Sequence, residues 1–249
     1  MNEYLKHLNK IEFVVTNACT GQCKHCSAGG HINDGARIDP KVAADAVERI
    51  AALYDVRTVM AFGGEPLLHP DAVEAIMRAA KAAGVRHRQV ITNGYFSRND
   101  GEIDVMAQRL AACGVNDLLL SVDAFHQETI PLETVKRFAM AVRANGVSLR
   151  LQPAWLVSRT DENPYNRRTR EILESVGGGE IPVGEGTVVF FEGNARRYLA
   201  AYFADTTSEN PYAEDPRDLR CVSFGANGDV LGGNVYERDI IELIKNYAP

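Results

Sequence analysis

A short motif, repeated three times about 30 residues apart, constrains the fold of this 249-residue chain more than any other sequence feature. Each copy has alanine, one variable residue, glycine and valine, with the glycines at Gly84, Gly114 and Gly146. An amphipathic stretch precedes each copy and an apolar run follows it. Glycine takes the left-handed turn that closes a helix without a steric penalty, so each copy predicts a helix end followed by a buried strand. Asp55-Val56 resembles a fourth copy, with aspartate in the glycine position.

The segments between the repeats complete a pattern of alternating strands and helices. Asp39 is a candidate N-cap for a helix that has Pro40 at its first position. Strands are predicted at 12–16, 58–62, 89–92, 118–122, 149–153 and near 188–191. Alternating βα units predict a parallel sheet, and six units are fewer than the eight of a closed barrel. The two candidate architectures are therefore an open, partial barrel and a doubly wound sheet.

Composition narrows the class of protein. A hydrophobic content of 45% and a charged content of 24% are typical of a soluble globular protein. The apolar runs are too short for a membrane helix, the start lacks the apolar core of a signal peptide, and a net charge of −6 gives no support for nucleic-acid binding. Three of the five cysteines fall within eight residues, which favours a metal site over a disulfide framework. We therefore expect a cytoplasmic protein with no membrane or nucleic-acid partner.

The residues that follow the predicted strands are the candidate site. In parallel α/β folds, ligands bind at the carboxyl ends of the strands. The segments there are polar, rich in glycine or cysteine-bearing, at 17–29, 63–66, 92–94, 121–123, 152–155 and 192–194. This concentration on one rim predicts a single functional site.

The cysteine cluster Cys19, Cys23 and Cys26 has the spacing C-x3-C-x2-C and follows the first strand. Three thiolates on one loop can hold three corners of an iron–sulfur cube, which leaves one iron open because ordinary clusters take four cysteines. A structural zinc site is the alternative, with His25 or His31 as fourth ligand. His25 directly precedes Cys26, which makes its entry into the same tetrahedron awkward, whereas His31 is feasible.

The cysteine spacing, Gly63-Gly64-Glu65-Pro66 after strand two and Ser121-x-Asp123 after strand four together resemble the radical S-adenosylmethionine (radical SAM) superfamily. The residue before the third cysteine is usually aromatic in that family and is His25 here. The resemblance spans roughly residues 11–193. It implies an α/β fold, a partial (β/α)6 barrel, with domain boundaries at 1–193 for the barrel and 194–249 for a C-terminal extension, in the same domain or as a small appendage.

The resemblance also implies roles for individual residues. Cys19, Cys23 and Cys26 would ligate one [4Fe-4S] cluster, and the methionine part of SAM would chelate its fourth iron. Gly63, Gly64 and Glu65 match the motif that holds the SAM ammonium group. The remaining SAM contacts it implies are His25 beside the adenine, Thr92 and Asn93 after strand three, Ser121 and Asp123 at the ribose or the methionine carboxylate, and Arg150 and Gln152 at the strand-five rim.

Three further residues have weaker functional signals. Cys113 ends a helix and is expected in the apolar core. His126, close after Asp123, either borders the substrate or caps and packs a helix. Cys221 precedes two short β runs that flank Asn227-Gly228, a strong hairpin signal. Relatives carry more cysteines in this hairpin for auxiliary clusters, so one cysteine here predicts a single cluster and a truncated extension with an exposed, lid-like loop from Asp205 to Asp218.

The resemblance implies reductive cleavage of SAM to a 5′-deoxyadenosyl radical, which abstracts hydrogen from a substrate, with a flavodoxin or ferredoxin as electron donor. The hairpin favours a peptide, protein or small natural-product substrate. Activation of a glycyl-radical enzyme is the alternative reaction. A noncatalytic iron–sulfur or zinc module is the alternative of another class, and the apparently intact SAM motifs argue against it.

Overall fold

A computed structural model describes residues 2–30, 35–177, 179–203 and 210–249. Six parallel strands form the main sheet in the order β5-β4-β3-β2-β1-β8. Their bounds are β1 Lys10–Val14, β2 Thr58–Phe62, β3 His87–Thr92, β4 Asp117–Leu120, β5 Leu149–Leu151 and β8 Cys221–Phe224. The four short strands are β6 Ala154–Trp155, β7 Thr187–Val188, β9 Asp229–Val230 and β10 Gly233–Asn234.

In the described part of the chain, eight α-helices connect or cover these strands. They are α1 Pro40–Ala51, α2 Pro70–Ala82, α3 Asp100–Cys113, α4 Ala124–Gln127, α5 Leu132–Ala144, α6 Pro164–Gly177, α7 Gly193–Tyr198 and α8 Ile240–Asn246. Short 3-10 turns cover Glu3–Leu5, Pro66–Leu68 and Ala200–Tyr202. None of the helices described is long and apolar enough to cross a bilayer.

The start and end signals of these helices follow the sequence. Asp39 accepts hydrogen bonds from the backbone N–H groups of Lys41 and Val42, and Pro40 is the first residue of α1. Gly84, Gly114 and Gly146 all have positive φ, from 74° to 95°, as the repeat predicts. Asp55 is not among the described residues with positive φ, and α1 ends at Ala51. The fourth copy is therefore not a glycine-type helix end.

The strands alternate between two environments. In β1, Ile11 and Phe13 are fully buried in the hydrophobic core, whereas Lys10 and Glu12 point to the other face and form an ion pair. The sheet thus packs one face under the helices and leaves a polar, partly exposed concave face. The partial (β/α)6 barrel predicted for this chain is confirmed.

The sixth barrel strand is interrupted and lies earlier than predicted. Pro153, which has no N–H to donate, separates β5 from β6. The chain from 183 to 189 runs parallel beside them: the N–H of Gly184 bonds the carbonyl of Leu151, and the N–H of Thr187 bonds that of Pro153, both at 2.8 Å. Within this segment only Thr187–Val188 forms a regular strand, paired with Ala154–Trp155.

The C-terminal hairpin differs from its prediction. Its two strands are β9 and β10, and its turn is Leu231-Gly232, with φ values of 50° and 73° that suit a two-residue hairpin turn. Asn227-Gly228 instead forms the turn between β8 and β9. β8 pairs in parallel with β1, and the Asn227-Gly228 turn is closed by the Gly228 N–H, which donates to the Gly225 carbonyl at 2.9 Å. The boundary at 193/194 stays a prediction, and 205–209 of the expected lid lie outside the described residues.

Candidate functional site

A pocket of about 220 Å³ opens at the carboxyl ends of the barrel strands. Eleven of the thirteen predicted site residues line it, namely Cys19, Cys23, His25, Cys26, Gly63, Gly64, Thr92, Asn93, Ser121, Asp123 and Gln152. The rest of the wall is formed by Ser27, Phe62, Ile91, His126, Pro153 and Ala154, with the segment from Thr187 to Phe190. The rim expected from the sequence is therefore one continuous pocket.

Two predicted residues do not line this pocket. Glu65 is fully buried behind its wall. Arg150 lies two residues deeper along β5 than Gln152, and its guanidinium donates to the Asp117 carboxylate at 2.9 Å. Residues two apart along a strand share a face and are separated by about 7 Å, so Arg150 lies on the same face as Gln152 but about 7 Å farther from the rim. Arg150 is thus placed away from the rim and engaged with a carboxylate.

The cysteine loop is braced by a helix that the sequence did not single out. The backbone N–H of Asn194 donates to the carbonyl of Cys26 at 2.9 Å, and its side-chain amide donates to the carbonyl of Cys23 at 3.0 Å. A Cβ at Gly193 would lie 2.3–2.6 Å from backbone atoms of Cys26, Ser27 and Gly29. Only glycine permits this approach of α7 to the loop.

The three thiols of the loop suit a metal centre. Burial, followed by the charges of Asp123, Cys19 and Cys26, raises the pKa of Cys23 well above its usual range. A bound metal centre offsets such a penalty because its positive charge stabilises thiolates. The Cys19 sulfur also receives two weak N–H contacts, from the Gly21 backbone at 3.4 Å and the Asn93 amide at 3.5 Å. The His31 of the zinc alternative lies outside the described residues.

The glycines of Gly63-Gly64-Glu65 are required by the loop after β1. A Cβ at Gly64 would be 2.1 Å from the Ala18 carbonyl oxygen, and Gly63 has a φ of 139°. The N–H groups of Gly64 and Glu65 donate to the carbonyls of Thr16 and Ala18, both at 2.8 Å. Among the residues described, no donor reaches the carbonyls of Gly63 and Gly64, which leaves these two oxygens for a ligand ammonium.

Glu65 joins the second and third strand rims. One carboxylate oxygen accepts from the Thr92 hydroxyl at 2.7 Å and the Leu67 N–H at 3.0 Å, and the other accepts from the Asn93 N–H at 2.8 Å. Burial raises the pKa of Glu65 to about 7, against the opposing effect of these hydrogen bonds. Because a carboxylate has about four acceptor positions and Glu65 already accepts three hydrogen bonds, one position is left for a further donor.

Asp123 forms a buried pair with His126. The Asp123 carboxylate accepts from the Nδ1 of His126 at 2.8 Å, and both groups sit in the fold with no more than 16% of the side chain exposed. Burial opposes ionisation of Asp123, but the imidazole charge and hydrogen bonds of His126 outweigh it and bring the pKa of Asp123 to about 2. Burial lowers the pKa of His126, and Asp123 more than offsets this, so the net shift is upward.

His25 forms an aromatic wall with its neighbours. Its ring lies 4.9 Å from Phe125, tilted by 37°, and 4.9 Å from His126, edge-on at 65°. Burial, and then the nearby His126, lowers the pKa of His25 to about 4. Its buried Nδ1 has no hydrogen-bond partner in the part of the chain that is described, as expected for an atom that meets a ligand.

Comparison with known proteins identifies the family. The model of the Radical SAM superfamily matches residues 13–151, more than half of the chain. The chain belongs to the radical SAM superfamily. A relative from Saccharolobus islandicus, "Probable GTP 3',8-cyclase", is 26% identical over 264 residues, which cover all of this chain and 78% of the relative. A Methanocaldococcus jannaschii protein of the same name is 24% identical over 51% of this chain and 40% of its own length.

Solved radical SAM structures share the fold. Streptococcus suis SuiB bound to S-adenosylmethionine superposes with a TM-score of 0.61 at 13% identity, covering 97% of this chain and 66% of SuiB. Native anSMEcpe with bound AdoMet gives 0.62 at 13% identity, covering 96% and 81% of the two chains. This radical SAM enzyme therefore uses the cofactors of its family, a [4Fe-4S] cluster and SAM. The buried Cys23 thiol, the half-buried Cys19 and Cys26 beside it, and the unpartnered His25 nitrogen fit these groups.

Sequence reasoning left some functional residues unassigned. For His126 the sequence predicted either a contact with the substrate or the capping and packing of a helix, because a histidine three residues after an aspartate is compatible with both. Gly193 and Asn194 lie in the predicted rim segment 192–194, but neither residue was given a role, although glycine at a helix start is a usable signal of close backbone approach. Cys113 is fully buried and its thiol contacts the Leu110 carbonyl, which confirms the core prediction.

Proposed function

We propose that Cys19, Cys23 and Cys26 hold a single [4Fe-4S] cluster and that the chain abstracts hydrogen from a peptide, protein or small natural product. When bound, the cluster and SAM supply the chemistry: one-electron cleavage of the sulfonium gives methionine and a 5′-deoxyadenosyl radical. The observation that carries this proposal is the meeting of the three-cysteine loop with Gly63 and Gly64 in one pocket, with Glu65 buried directly behind its wall.

The chain's own residues would bind and shield this chemistry. The free carbonyls of Gly63 and Gly64 and the remaining acceptor position of Glu65 suit an ammonium group. Ser121 and Gln152 present polar side chains on the opposite wall. The His25 ring, with Phe125 packed against it, forms part of the wall, which helps to exclude water and so protects a reactive intermediate from competing hydrogen donors.

The lining argues for a substrate without a large negative charge. None of the described residues that line the pocket is lysine or arginine. Sites for phosphate groups normally supply arginine, lysine or a metal ion. The described walls of this pocket, which would also hold the cluster and SAM, therefore supply no cationic side chain for a triphosphate.

A GTP-cyclase-like reaction is the second candidate. It is favoured by the relatives named GTP 3',8-cyclase, three of which align with the whole chain. Among the structural neighbours, SuiB binds a precursor peptide and BtrN binds 2-DOIA, so this fold accepts peptide and small-molecule ligands. Two cysteines remain outside the loop, Cys113 in the core and Cys221 in β8, and neither can hold a second cluster alone.

Anaerobic reconstitution tests the cofactor assignment. We expect about four irons and four sulfides per chain in the wild type. Dithionite and SAM should then yield 5′-deoxyadenosine, and Cys23→Ala should abolish both signals. Cys113→Ala is the matched control and should retain them. Stoichiometric zinc without sulfide, or turnover by Cys23→Ala, contradicts the assignment.

Deuterium transfer separates the substrate candidates. Perdeuterated peptides and GTP are offered to the reconstituted enzyme, and deuterium in 5′-deoxyadenosine identifies the hydrogen donor. Transfer from GTP would overturn the peptide or natural-product proposal.

A low-potential flavodoxin or ferredoxin is proposed as the donor of the electron and is tested by replacing dithionite with it. A cytoplasmic, oxygen-poor setting is proposed on the oxygen lability of such clusters.

A further inference from the structure

The strand β7, which forms part of the pocket wall, bonds the barrel through only one of its edges. The N–H groups of Thr187 and Val189 donate to the carbonyls of Pro153 and Trp155, at 2.8 and 2.9 Å. Successive residues of an extended strand direct their backbone groups to opposite edges, so the N–H and the carbonyl of Val188 point away from β6. Among the described strands, only β6 pairs with β7.

A tyrosine hydroxyl occupies this outer edge in place of a strand. The Val188 N–H donates to the Tyr212 Oη at 3.0 Å, and the Val188 carbonyl accepts no hydrogen bond from the described residues. Tyr212 belongs to the C-terminal extension, 24 residues further along the chain. Its ring is 54% exposed and lies 6.0 Å from that of Phe190, edge-on at 62°. Because one exposed hydrogen bond holds this cap, a ligand can exchange it at little cost.

The outer edge of β7 adjoins the site of the proposed radical chemistry. Val188 lines the same pocket as Cys19, Cys23 and Cys26. A backbone N–H and a carbonyl that face outward from a strand are complementary to the carbonyl and the N–H of another extended chain, which is the basis of recognition by β-strand addition. The chemistry of the edge therefore favours a peptide as its ligand.

We propose that the outer edge of β7 binds an extended peptide segment of the substrate, with one peptide residue exchanging both N–H···O bonds with Val188 in place of the Tyr212 hydroxyl. This inference rests on the peptide or protein substrate proposed above. Backbone pairing is independent of the peptide sequence, whereas the side chains of an extended peptide alternate between two faces. The pairing thereby fixes the register at which a peptide side chain is held beside the pocket.

Affinity selection from a pool of capped random hexapeptides tests this docking site. The protein is loaded with its cluster and with S-adenosylhomocysteine, which lacks the sulfonium that is cleaved, and the most enriched peptide is resynthesised for calorimetry. Val188→Pro removes the N–H at the outer edge, where proline is tolerated, and should bind this peptide about fivefold more weakly, the effect of one lost hydrogen bond. Tyr212→Phe removes the competing hydroxyl and should bind it about fivefold more tightly.

Two control variants make the same chemical changes away from this edge. Val183 lies in the same segment but outside the pocket, and its N–H also points outward, because the flanking Pro182 carbonyl and Gly184 N–H are the groups that bond Leu151. Tyr198→Phe removes the hydroxyl of another exposed tyrosine. Val183→Pro and Tyr198→Phe should both bind the peptide like the wild type.

Methylation of the peptide backbone locates the pairing without any change to the protein. The enriched peptide is N-methylated at one residue at a time. Methylation of the residue that pairs with Val188 should weaken binding about fivefold. Methylation of its two neighbours should have little effect, since their N–H groups point away from β7. This readout stays decisive if Val188→Pro fails to fold or to load the cluster.

The same data can overturn the proposal. Backbone pairing at β7 is excluded if no hexapeptide is enriched, if Val188→Pro binds like Val183→Pro, or if no single N-methyl position weakens binding. Unchanged affinity in Tyr212→Phe excludes the role of Tyr212 as the displaced cap. Because binding is measured without turnover, failure to form 5′-deoxyadenosine from SAM would reject the proposed function and leave these comparisons intact.

Discussion

At the scale of single residues, two buried carboxylates, those of Glu65 and Asp123, connect the ends of neighbouring strands by hydrogen bonds. Glu65 bonds the backbone of Asn93 and the hydroxyl of Thr92 on the neighbouring rim, and Asp123 bonds the backbone of Ala154 beyond β5. The sequence predicted both acids at the site, because both follow strands, but it assigned them to the ligand. Which partner satisfies a buried carboxylate depends on backbone groups far away in the chain, and spacing does not reveal these.

Glu65 should make SAM affinity depend on pH. Burial raises its pKa to about 7, so the protonated form prevails below that pH and attracts an ammonium group weakly. As pH rises from 6 to 7.5 the ionised fraction grows, and SAM should bind the cluster-loaded protein roughly eightfold more tightly. Calorimetry in buffers of different ionisation enthalpy should show proton release on binding near pH 6.

The control for this prediction is Glu65→Gln, which cannot ionise. Its SAM affinity should be lower and nearly constant over the same pH range. His126 carries a charge near Glu65 and also titrates, so the slope that disappears in Glu65→Gln is the part due to the carboxyl group. An unchanged slope in this variant would assign the pH dependence to His126.

Gly64 should matter for folding even without any cofactor. An added Cβ would lie 2.1 Å from the Ala18 carbonyl oxygen, and neither backbone can retreat without breaking the hydrogen bonds between the two loops. Gly84→Ala is the matched comparison, since its Cβ meets open space and only the positive φ is strained. Urea unfolding of the apo-protein should show a loss of about 1 kcal/mol for Gly84→Ala and a clearly larger loss for Gly64→Ala.

At the scale of elements, local signals predicted helix ends better than strand partners. Asp39 and Gly114 mark their helices because capping and the left-handed turn depend on a few neighbouring residues. The hairpin turn was placed at Asn227-Gly228 instead of Leu231-Gly232, because Asn-Gly is the stronger local turn signal and spacing does not reveal that β9 pairs with β10. Arg150 was placed on the rim for a similar reason: the partner that holds it, Asp117, is on another strand.

The contact of α7 with the cysteine loop predicts a role for Gly193 in cluster loading. A Cβ there would lie 2.3–2.6 Å from backbone atoms of the loop, so Gly193→Ala should displace the loop or the helix. Strain of about 1–3 kcal/mol at such a site should lower the iron content after reconstitution by roughly half or more. Gly30→Ala changes the same loop where a Cβ meets nothing within 4 Å, and it should load iron like the wild type.

Equal iron content in Gly193→Ala and Gly30→Ala would contradict a bracing role for α7. Circular dichroism of the apo-proteins separates a local effect from a folding defect. A local effect leaves the spectrum and the unfolding midpoint close to those of the wild type, because α7 is six residues long and the main sheet does not depend on it.

At the scale of the whole molecule, the C-terminal segment is part of the barrel sheet. β8 pairs with β1 over four residue pairs, and the rings of Phe13 and Phe224 stack at 4.6 Å with an angle of 16° between them. The two ends of the chain also meet: the Asn2 amide donates to the carbonyls of Ile244 at 2.9 Å and Tyr247 at 2.7 Å. These contacts argue that residues 194–249 and the barrel unfold together.

Phe224→Ala tests whether barrel and extension are one cooperative unit. Phe224 is fully buried, so its truncation should cost about 3–5 kcal/mol and lower the midpoint of a single transition monitored by both far-ultraviolet circular dichroism and tyrosine fluorescence. Val105→Ala, at a side chain that is 53% exposed, should change stability by less than about 0.5 kcal/mol. An appendage would behave differently: its early melting would appear as a separate transition while the sheet of β1 to β5 kept its midpoint. We expect the single transition, because loss of β8 would expose a row of unpaired backbone groups along β1 beside the fully buried Phe13. Among the described residues, no other strand lies at that edge to cover them.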